Sequence, residues 1–334
     1  MEEVFNVQKK FFEELRSKLP PNLTVANVVA DELSISIDSA YRRIRGDSDL
    51  SLKEFDILSS KFAVSANAVL SKSNDSINFN YRSIIHDKND FKRYFNSITE
   101  DIKSLAQNGL KEIIYTAMDL PMYYYFIFPK LATFKLFFCL RNVLELPGLD
   151  DEQFKFSLIS EEDLEIAHKM WESYLSVPTI EIWNEDTLNS TLKQISFYNK
   201  IGMFENKKDI IEILDDLKKV VYHIQKQAEC GHKFCPVNEC PKNDNHDNFK
   251  MFYNEITLSE NVILLKLEKF DMVHLDHNVL NILTTKDENF FKEAHEFVQK
   301  IMKNSKLISV AFEQERKRFF NNLYHKIDAL AVNL

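Results

Sequence analysis

Apolar residues recur at spacings of three and four near the start of the chain, which is the period of one face of an α-helix. The first such helix stops before Pro20 and Pro21, and its apolar positions are Val4, Val7, Phe11, Leu15 and Leu19. Shorter helices are predicted from Thr24 to Leu33, from Ser36 to Gly46 and from Leu50 to Ala63. Four or five short helices therefore predict a compact bundle over residues 1–70.

The polar stretch that follows, SKSNDSINFN, has no helical period, so residues 71–89 are predicted to form a linker. Residues 90–334 are predicted to be mostly helical. The predicted helices cover residues 91–105, 109–118, 129–144, 161–175, 185–198, 207–228, 287–303 and 312–330. Short apolar runs around 250–276 predict a small antiparallel sheet. The expected fold class is therefore mainly α, with the helical bundle first and a small sheet near the C-terminus.

Composition narrows the classes of function. The chain has five glycines, none close to another, so no glycine-rich loop can surround a phosphate as in Rossmann or P-loop proteins. No acid–base arrangement stands out, and we expect a protein that is not an enzyme. The most apolar region, 120–146, contains Lys130, Lys135 and Arg141, which argues against a membrane span. The acidic start of the chain argues against a secretory signal, so a cytoplasmic location is expected.

One segment within the bundle carries a functional signal. The sequence VADELSISIDSAYRRIRG, residues 29–46, predicts two helices around a tight corner, with Ser34 in the turn. Ile37, Ala40 and Ile44 are spaced as the buried face of the second helix. The remaining polar side chains of that helix, Asp38, Ser39, Arg42, Arg43 and Arg45, are then expected to lie mainly on the outside.

The span from about Thr24 to Leu70 resembles a lambda-repressor-like (XRE-type) helix-turn-helix domain of bacterial transcription regulators. The resemblance implies that the second helix enters the major groove of double-stranded DNA. It assigns base contacts to Asp38, Ser39 and Arg42, and phosphate contacts to Tyr41, Arg43 and Arg45. Ser34 replaces the glycine that is common in the turn, and the acids Asp38, Asp47 and Asp49 reduce the positive charge.

Net charge favours an alternative to DNA binding. The chain has a formal charge of -9, and residues 1–70 carry 9 Lys plus Arg against 11 Asp plus Glu, a difference of -2. Neutralisation of phosphates supplies most non-specific DNA affinity, and residues 1–70 lack the positive charge for it. DNA binding is therefore expected to need a homodimer, in which two copies of the second helix contact the DNA. The alternative is a scaffold that uses the helical bundle to bind other proteins.

Three of the four cysteines lie in one short segment, CGHKFCPVNEC. Cys230, Cys235, Cys240 and His232 could together hold a structural zinc ion, which prefers four such ligands. The spacing is less specific than that of a paired CxxC motif. Reduced thiols in a surface loop, a disulfide and a redox-sensing thiol therefore stay open as alternatives, and reduced thiols are the usual state in the cytoplasm.

The aromatic run Met122 to Phe126 could line a pocket for an unknown small-molecule effector, although core packing is the commoner role of such a run. On alternating strand geometry, His274 and Asp276 share one face of a strand and His277 lies on the other. Residues 128–146 and 272–285 faintly resemble an uncharacterised region that follows helix-turn-helix domains in bacterial regulators. The region after the linker is therefore expected to bind an effector molecule or protein, or to form the dimer.

Overall fold

The chain divides into an N-terminal unit, Met1–Asn78, and a C-terminal unit, Phe79–Leu334, in the computed structural model. For residues 2–6 and 88–91 only the backbone is described. The described residues are 2–20, 23–62, 64, 69, 77–81, 88–240, 248–256, 261–277 and 281–333. The predicted linker, 71–89, lies mostly outside them.

Four helices build the described part of the N-terminal unit. They are α1(Glu2–Ser17), α2(Val25–Leu33), α3(Ile37–Arg45) and α4(Leu52–Phe62). Thr24 and Ser36 accept hydrogen bonds from backbone N–H groups in the first turns of α2 and α3, as their positions in the sequence indicate. A fifth helix would fall on residues outside the described ones, apart from Val64 and Val69, which are buried.

The helices of the N-terminal unit share one small apolar core. Phe11 and Leu15 of α1 pack with Val29 of α2, Ala40 of α3 and Leu58 of α4, and all five side chains are buried. Ala40 is fully buried, and its small size allows the backbone of α3 to approach the neighbouring helices closely. The core therefore fixes the rotation of α3 about its own axis.

Ser34 makes the corner between α2 and α3. Its backbone is left-handed, with φ of 53° and ψ of 45°, and the N–H of Ile35 donates to the carbonyl of Ala30 at 3.0 Å. Glycine adopts this conformation without the steric cost that a Cβ brings. The tight corner between the two helices thus depends on a residue that is strained at this position.

We expect Ser34→Gly to stabilise the N-terminal unit by up to about 1 kcal/mol, because it removes that steric cost. Ser34→Val should destabilise the unit by about 1–2 kcal/mol, because a β-branched side chain is disfavoured at positive φ. Hydrogen–deuterium exchange of peptides from residues 25–45 measures both effects. Faster exchange in Ser34→Gly, or unchanged exchange in Ser34→Val, would contradict the prediction.

The C-terminal unit combines helices with an extensive sheet. Its helices are α5(Lys88–Gln107), α6(Pro129–Asn142), α7(Glu161–Leu175), α8(Asn189–Lys200), α9(Lys207–Cys230), α10(Glu288–Lys303) and α11(Glu313–Val332), with 3-10 helices at Met122–Phe126 and Phe156–Leu158. Its strands are β1(Asn80–Tyr81), β2(Leu110–Ala117), β3(Thr179–Trp183), β4(Phe249–Tyr253), β5(Val262–Leu267), β6(Asp271–His277), β7(Asn281–Thr285) and β8(Lys306–Leu307).

The predicted fold class, mainly α with a small antiparallel sheet, is wrong. The described residues form eleven α-helices and one eight-stranded mixed sheet with the order β1-β7-β6-β5-β2-β3-β4-β8. The segment 109–118, predicted to be helical, is β2, which pairs in parallel with β3 and antiparallel with β5. Most of its residues are buried, and a strand that is covered on both faces lacks the alternating pattern that identifies a half-exposed strand.

Helices cover both faces of this sheet. Phe291 and Val298 of α10 pack on one face, against Ile114 of β2 and Leu264 of β5. On the other face, Tyr115 of β2 belongs to the largest apolar cluster, to which α5 to α9 and α11 contribute. No described helix is both long enough and apolar enough to cross a membrane.

A buried carboxylate lies in the middle of the sheet. Glu181 of β3 is fully buried and accepts hydrogen bonds from the hydroxyls of Tyr124 and Tyr174 and from Nε1 of Trp183, each at 2.8 Å. Burial raises the pKa of Glu181, against the influence of Lys233 and of these donors. Lys233 donates from Nζ to the carbonyl of Tyr174 at 2.5 Å. This network links β3 to the 3-10 helix, to α7 and to the segment after α9.

Candidate nucleic-acid interface

The helix α3 is short and sharply bounded. Ser36 accepts from the N–H of Ser39 at 3.2 Å, and its hydroxyl donates to the Ser39 hydroxyl at 2.9 Å. Gly46 ends the helix in the left-handed conformation that glycine favours, with φ of 81°. Nine residues at 1.5 Å each give a rod of about 14 Å, which suits the width of a major groove.

One side of α3 faces away from the core of the N-terminal unit. Asp38, Tyr41, Arg42 and Arg45 are exposed there, as four of the predicted contact residues. Ile37 was predicted to lie on the buried face, and that prediction is wrong, because 51% of its surface is exposed. The helix begins at Ile37, beyond the edge of the core, so only Ala40 and Ile44 of the expected apolar face pack inward.

Arg43 forms hydrogen bonds within the helical bundle. Its Nε and one terminal nitrogen donate to Glu54 Oε1 of α4 at 3.1 and 2.7 Å, and the other terminal nitrogen donates to the carbonyl of Ser39 at 3.2 Å. About four fifths of its side chain is covered. The phosphate contact expected of Arg43 would require these bonds to break, so we assign it to holding α3 against α4.

Glu54 and Gln8 position α3, and neither was predicted from the sequence. Ser51 and Glu54 cap the start of α4 reciprocally, and the spacing S-x-x-E is a recognisable signal for such a capping box. Gln8 of α1 is buried and donates to the carbonyls of Arg43 and Ser48, while its amide oxygen accepts from the N–H of Leu50 at 2.9 Å. No sequence pattern indicates these hydrogen bonds of Gln8.

The two exposed arginines of α3 differ in their surroundings. Arg45 donates to Asp47 Oδ2 at 3.0 Å in an exposed ion pair, which contributes little to stability and is readily exchanged. For Arg42, no ion pair occurs among the described residues. A guanidinium in this position presents several donors in one plane, the geometry that matches guanine O6 and N7.

The predicted zinc ligands do not form one cluster. Cys230 and Cys240 form a disulfide with a Cα–Cα distance of 6.1 Å, so neither sulfur is free to bind a metal. Cys235 is free and half-buried, and His232 is buried. Within the described ranges, no three histidine, cysteine or acidic side chains could hold a metal ion together. Of the alternatives left open by the sequence, this geometry supports the disulfide.

Comparison with protein-family models, with curated proteins and with solved structures finds no match for this chain.

The Arg43–Glu54 pair predicts that the N-terminal unit loses stability in acid. Burial alone would raise the pKa of Glu54, but hydrogen bonds from Arg43 and Ser51 outweigh it and lower that pKa. The stabilisation is therefore complete above 4.5, the ordinary value, and is lost as the pH falls through 4.5 towards the lowered pKa. Hydrogen exchange of residues 25–62 between about pH 6 and pH 3 measures this loss.

In Glu54→Gln the same acid-dependent loss should be smaller, because the titrating group is gone. Glu13→Gln, at an exposed position of α1, is the matched control and should behave like the unaltered chain. Identical pH profiles for Glu54→Gln and Glu13→Gln would show that the pair does not contribute.

The disulfide predicts how many thiols react with an alkylating agent. In the denatured, unreduced chain we expect two thiols to react, those of Cys139 and Cys235. After reduction all four cysteines should react. Mass spectrometry of the intact chain counts the additions, and four additions without reduction would exclude the disulfide under the conditions used.

Proposed function

We propose that this chain is a sequence-specific DNA-binding regulator whose helix α3 enters the major groove. The observation that carries the proposal is the exposed side of α3, where Arg42 has no carboxylate partner among the described residues. The left-handed corner, the two capped helices and the buried Ala40 support the resemblance to a helix-turn-helix domain. The same features leave the outer side of α3 available to a duplex.

Each exposed side chain of α3 suits a particular contact. Arg42 would donate to guanine, Asp38 would accept from cytosine N4, and Ile37 would contact a thymine methyl group. Tyr41 and Arg45 would hold phosphates. The Ser39 hydroxyl is bonded to Ser36 at 2.9 Å, so its contact with a base would require that bond to be exchanged.

The weak overall charge suggests how binding would be achieved. Residues 1–70 carry a net charge of -2, so attraction to the DNA phosphates as a whole adds little to their affinity for DNA. A homodimer that places two copies of α3 on half-sites about one helical turn apart would add their contacts. We therefore propose a dimer and a target of two related half-sites.

A selection from randomised duplexes tests the proposal, with the full chain as the bait. We expect an enriched sequence with two half-sites. In Arg42→Ala, affinity for that sequence should fall by about 1–3 kcal/mol, and discrimination should be lost at the guanine it contacts. Arg16→Ala removes an exposed arginine of α1 and is the matched control, expected to bind like the unaltered chain.

Arg45→Ala distinguishes a phosphate contact from a base contact. It should weaken binding to all sequences alike and reduce the dependence of affinity on salt. No enriched sequence in the selection, or equal affinities for Arg42→Ala and Arg16→Ala, would overturn the proposed function.

A protein-binding bundle is the second candidate. Four large apolar side chains of α3 and α4 are exposed, those of Ile37, Tyr41, Leu52 and Ile57, and 87% of the surface of Leu52 is uncovered. Exposed apolar side chains that form a contiguous patch often mark a surface for another protein. Capture of one partner by the full chain, abolished by Leu52→Ser and unaffected by Arg42→Ala, would favour this candidate over DNA binding.

A further inference from the structure

The C-terminal unit contains a cavity of about 320 Å³ just beyond the end of β2. It lies between the segment that follows this strand, the 3-10 helix Met122–Phe126, α6, the start of α8, and strands β5 and β6. In sheets with parallel strands, ligands usually bind beyond the carboxyl ends of the strands. The volume falls in the lower part of the range found for small-molecule sites.

Aromatic side chains form much of the wall. Tyr115 of β2 and Tyr123 of the 3-10 helix both line the cavity and are buried by the protein around them. Burial raises the pKa of both phenols well above its ordinary value, so both are neutral. Among the described residues neither hydroxyl has a hydrogen-bond partner. These rings offer aromatic faces, and their hydroxyls are free to bond a ligand.

Lys135 supplies the positive charge in the cavity. Its Nζ donates to Gln194 Oε1 at 2.8 Å and to Thr191 Oγ1 at 3.3 Å, and it lies 4.0 Å from the centre of the Tyr125 ring. Burial lowers the pKa of Lys135 to about 8. The ammonium is therefore already surrounded by two acceptors and a ring, and it has little need of an anionic ligand.

Two carboxylates supply the negative charge. Asp276 Oδ2 accepts from Asn261 Nδ2 at 2.6 Å, and the charge of Lys135 together with Ser190 favours the ionised form of Asp119. Within the described part of the chain, no lysine or arginine lies within 4 Å of either carboxylate. Burial raises the pKa of both acids, that of Asp276 to about 6. The cavity thus contains two carboxyl groups, those of Asp119 and Asp276, against the single amino group of Lys135.

We propose that this cavity binds a small organic amine, with its ammonium group between Asp119 and Asp276 and its apolar body against Tyr115 and Tyr123. The ammonium would balance the remaining negative charge and satisfy carboxylate oxygens that lack donors. The aromatic faces attract cations, which adds to the preference for an amine over a carboxylic acid. A cavity of about 150 Å³ holds benzene, so this larger one has room for a ring and a short chain. The proposal does not depend on DNA binding.

Calorimetric titration of the full chain with three compounds that share a phenyl ring on a two-carbon chain tests this proposal. Phenethylamine is a cation, 3-phenylpropionate is an anion, and phenylalanine carries both charges. We expect phenethylamine to bind most tightly of the three. Tightest binding by 3-phenylpropionate or phenylalanine, or no heat from phenethylamine at millimolar concentration, would overturn the proposal.

Variants locate the binding site. Asp276→Asn and Asp119→Asn should each raise the Kd of phenethylamine at least tenfold, whereas Lys135→Gln should leave it unchanged or lower it. Asp150→Asn changes an exposed acid outside the cavity and should have no effect. Asp276 is exposed and Asp119 is half-buried, so their neutral replacements should fold, which far-ultraviolet circular dichroism verifies. Unchanged affinity in both cavity variants, or loss of amine binding in Lys135→Gln, would contradict the assignment.

Discussion

The C-terminal unit is organised around the buried carboxylate of Glu181. A charge in the interior is costly unless donors surround it, and here three donors at 2.8 Å come from β3, α7 and the 3-10 helix. Since the Tyr124 hydroxyl is held by Glu181, the neighbouring side chains of Tyr123 and Tyr125 are left to face the cavity. The hydrogen bond between Tyr124 and Glu181 of β3 thus fixes the position of this part of the cavity wall.

Helices were largely predictable in this chain, and the centre of the sheet was not. Ser160, Asn206 and Asp287 cap helices that the apolar spacing also indicates. β2 pairs with β3 after about 60 intervening residues and with β5 after about 145, and such pairings leave no local pattern. An apolar run buried on both faces fits a helix as well as a strand.

The two candidate sites also differ in how far the sequence predicts them. The corner at Ser34 and the exposed positions of Arg42 and Tyr41 follow from contiguous sequence, because a single helix repeats with a fixed period. The inward position of Arg43 depends on Glu54, eleven residues away on the next helix. Asp119, Lys135 and Asp276 meet only because β5 and β6 pair beside β2, so spacing in the sequence could not bring the three together.

Gln8 has a consequence for how the N-terminal unit could be isolated. The side chain of Gln8 bonds the carbonyl of Arg43 in α3 and, in the loop between α3 and α4, the carbonyl of Ser48 and the N–H of Leu50. A fragment that begins at Thr24, where the helix-turn-helix resemblance begins, would lack those bonds and the apolar cover that Phe11 and Leu15 provide. The smallest self-sufficient fragment of this unit must therefore retain the first helix.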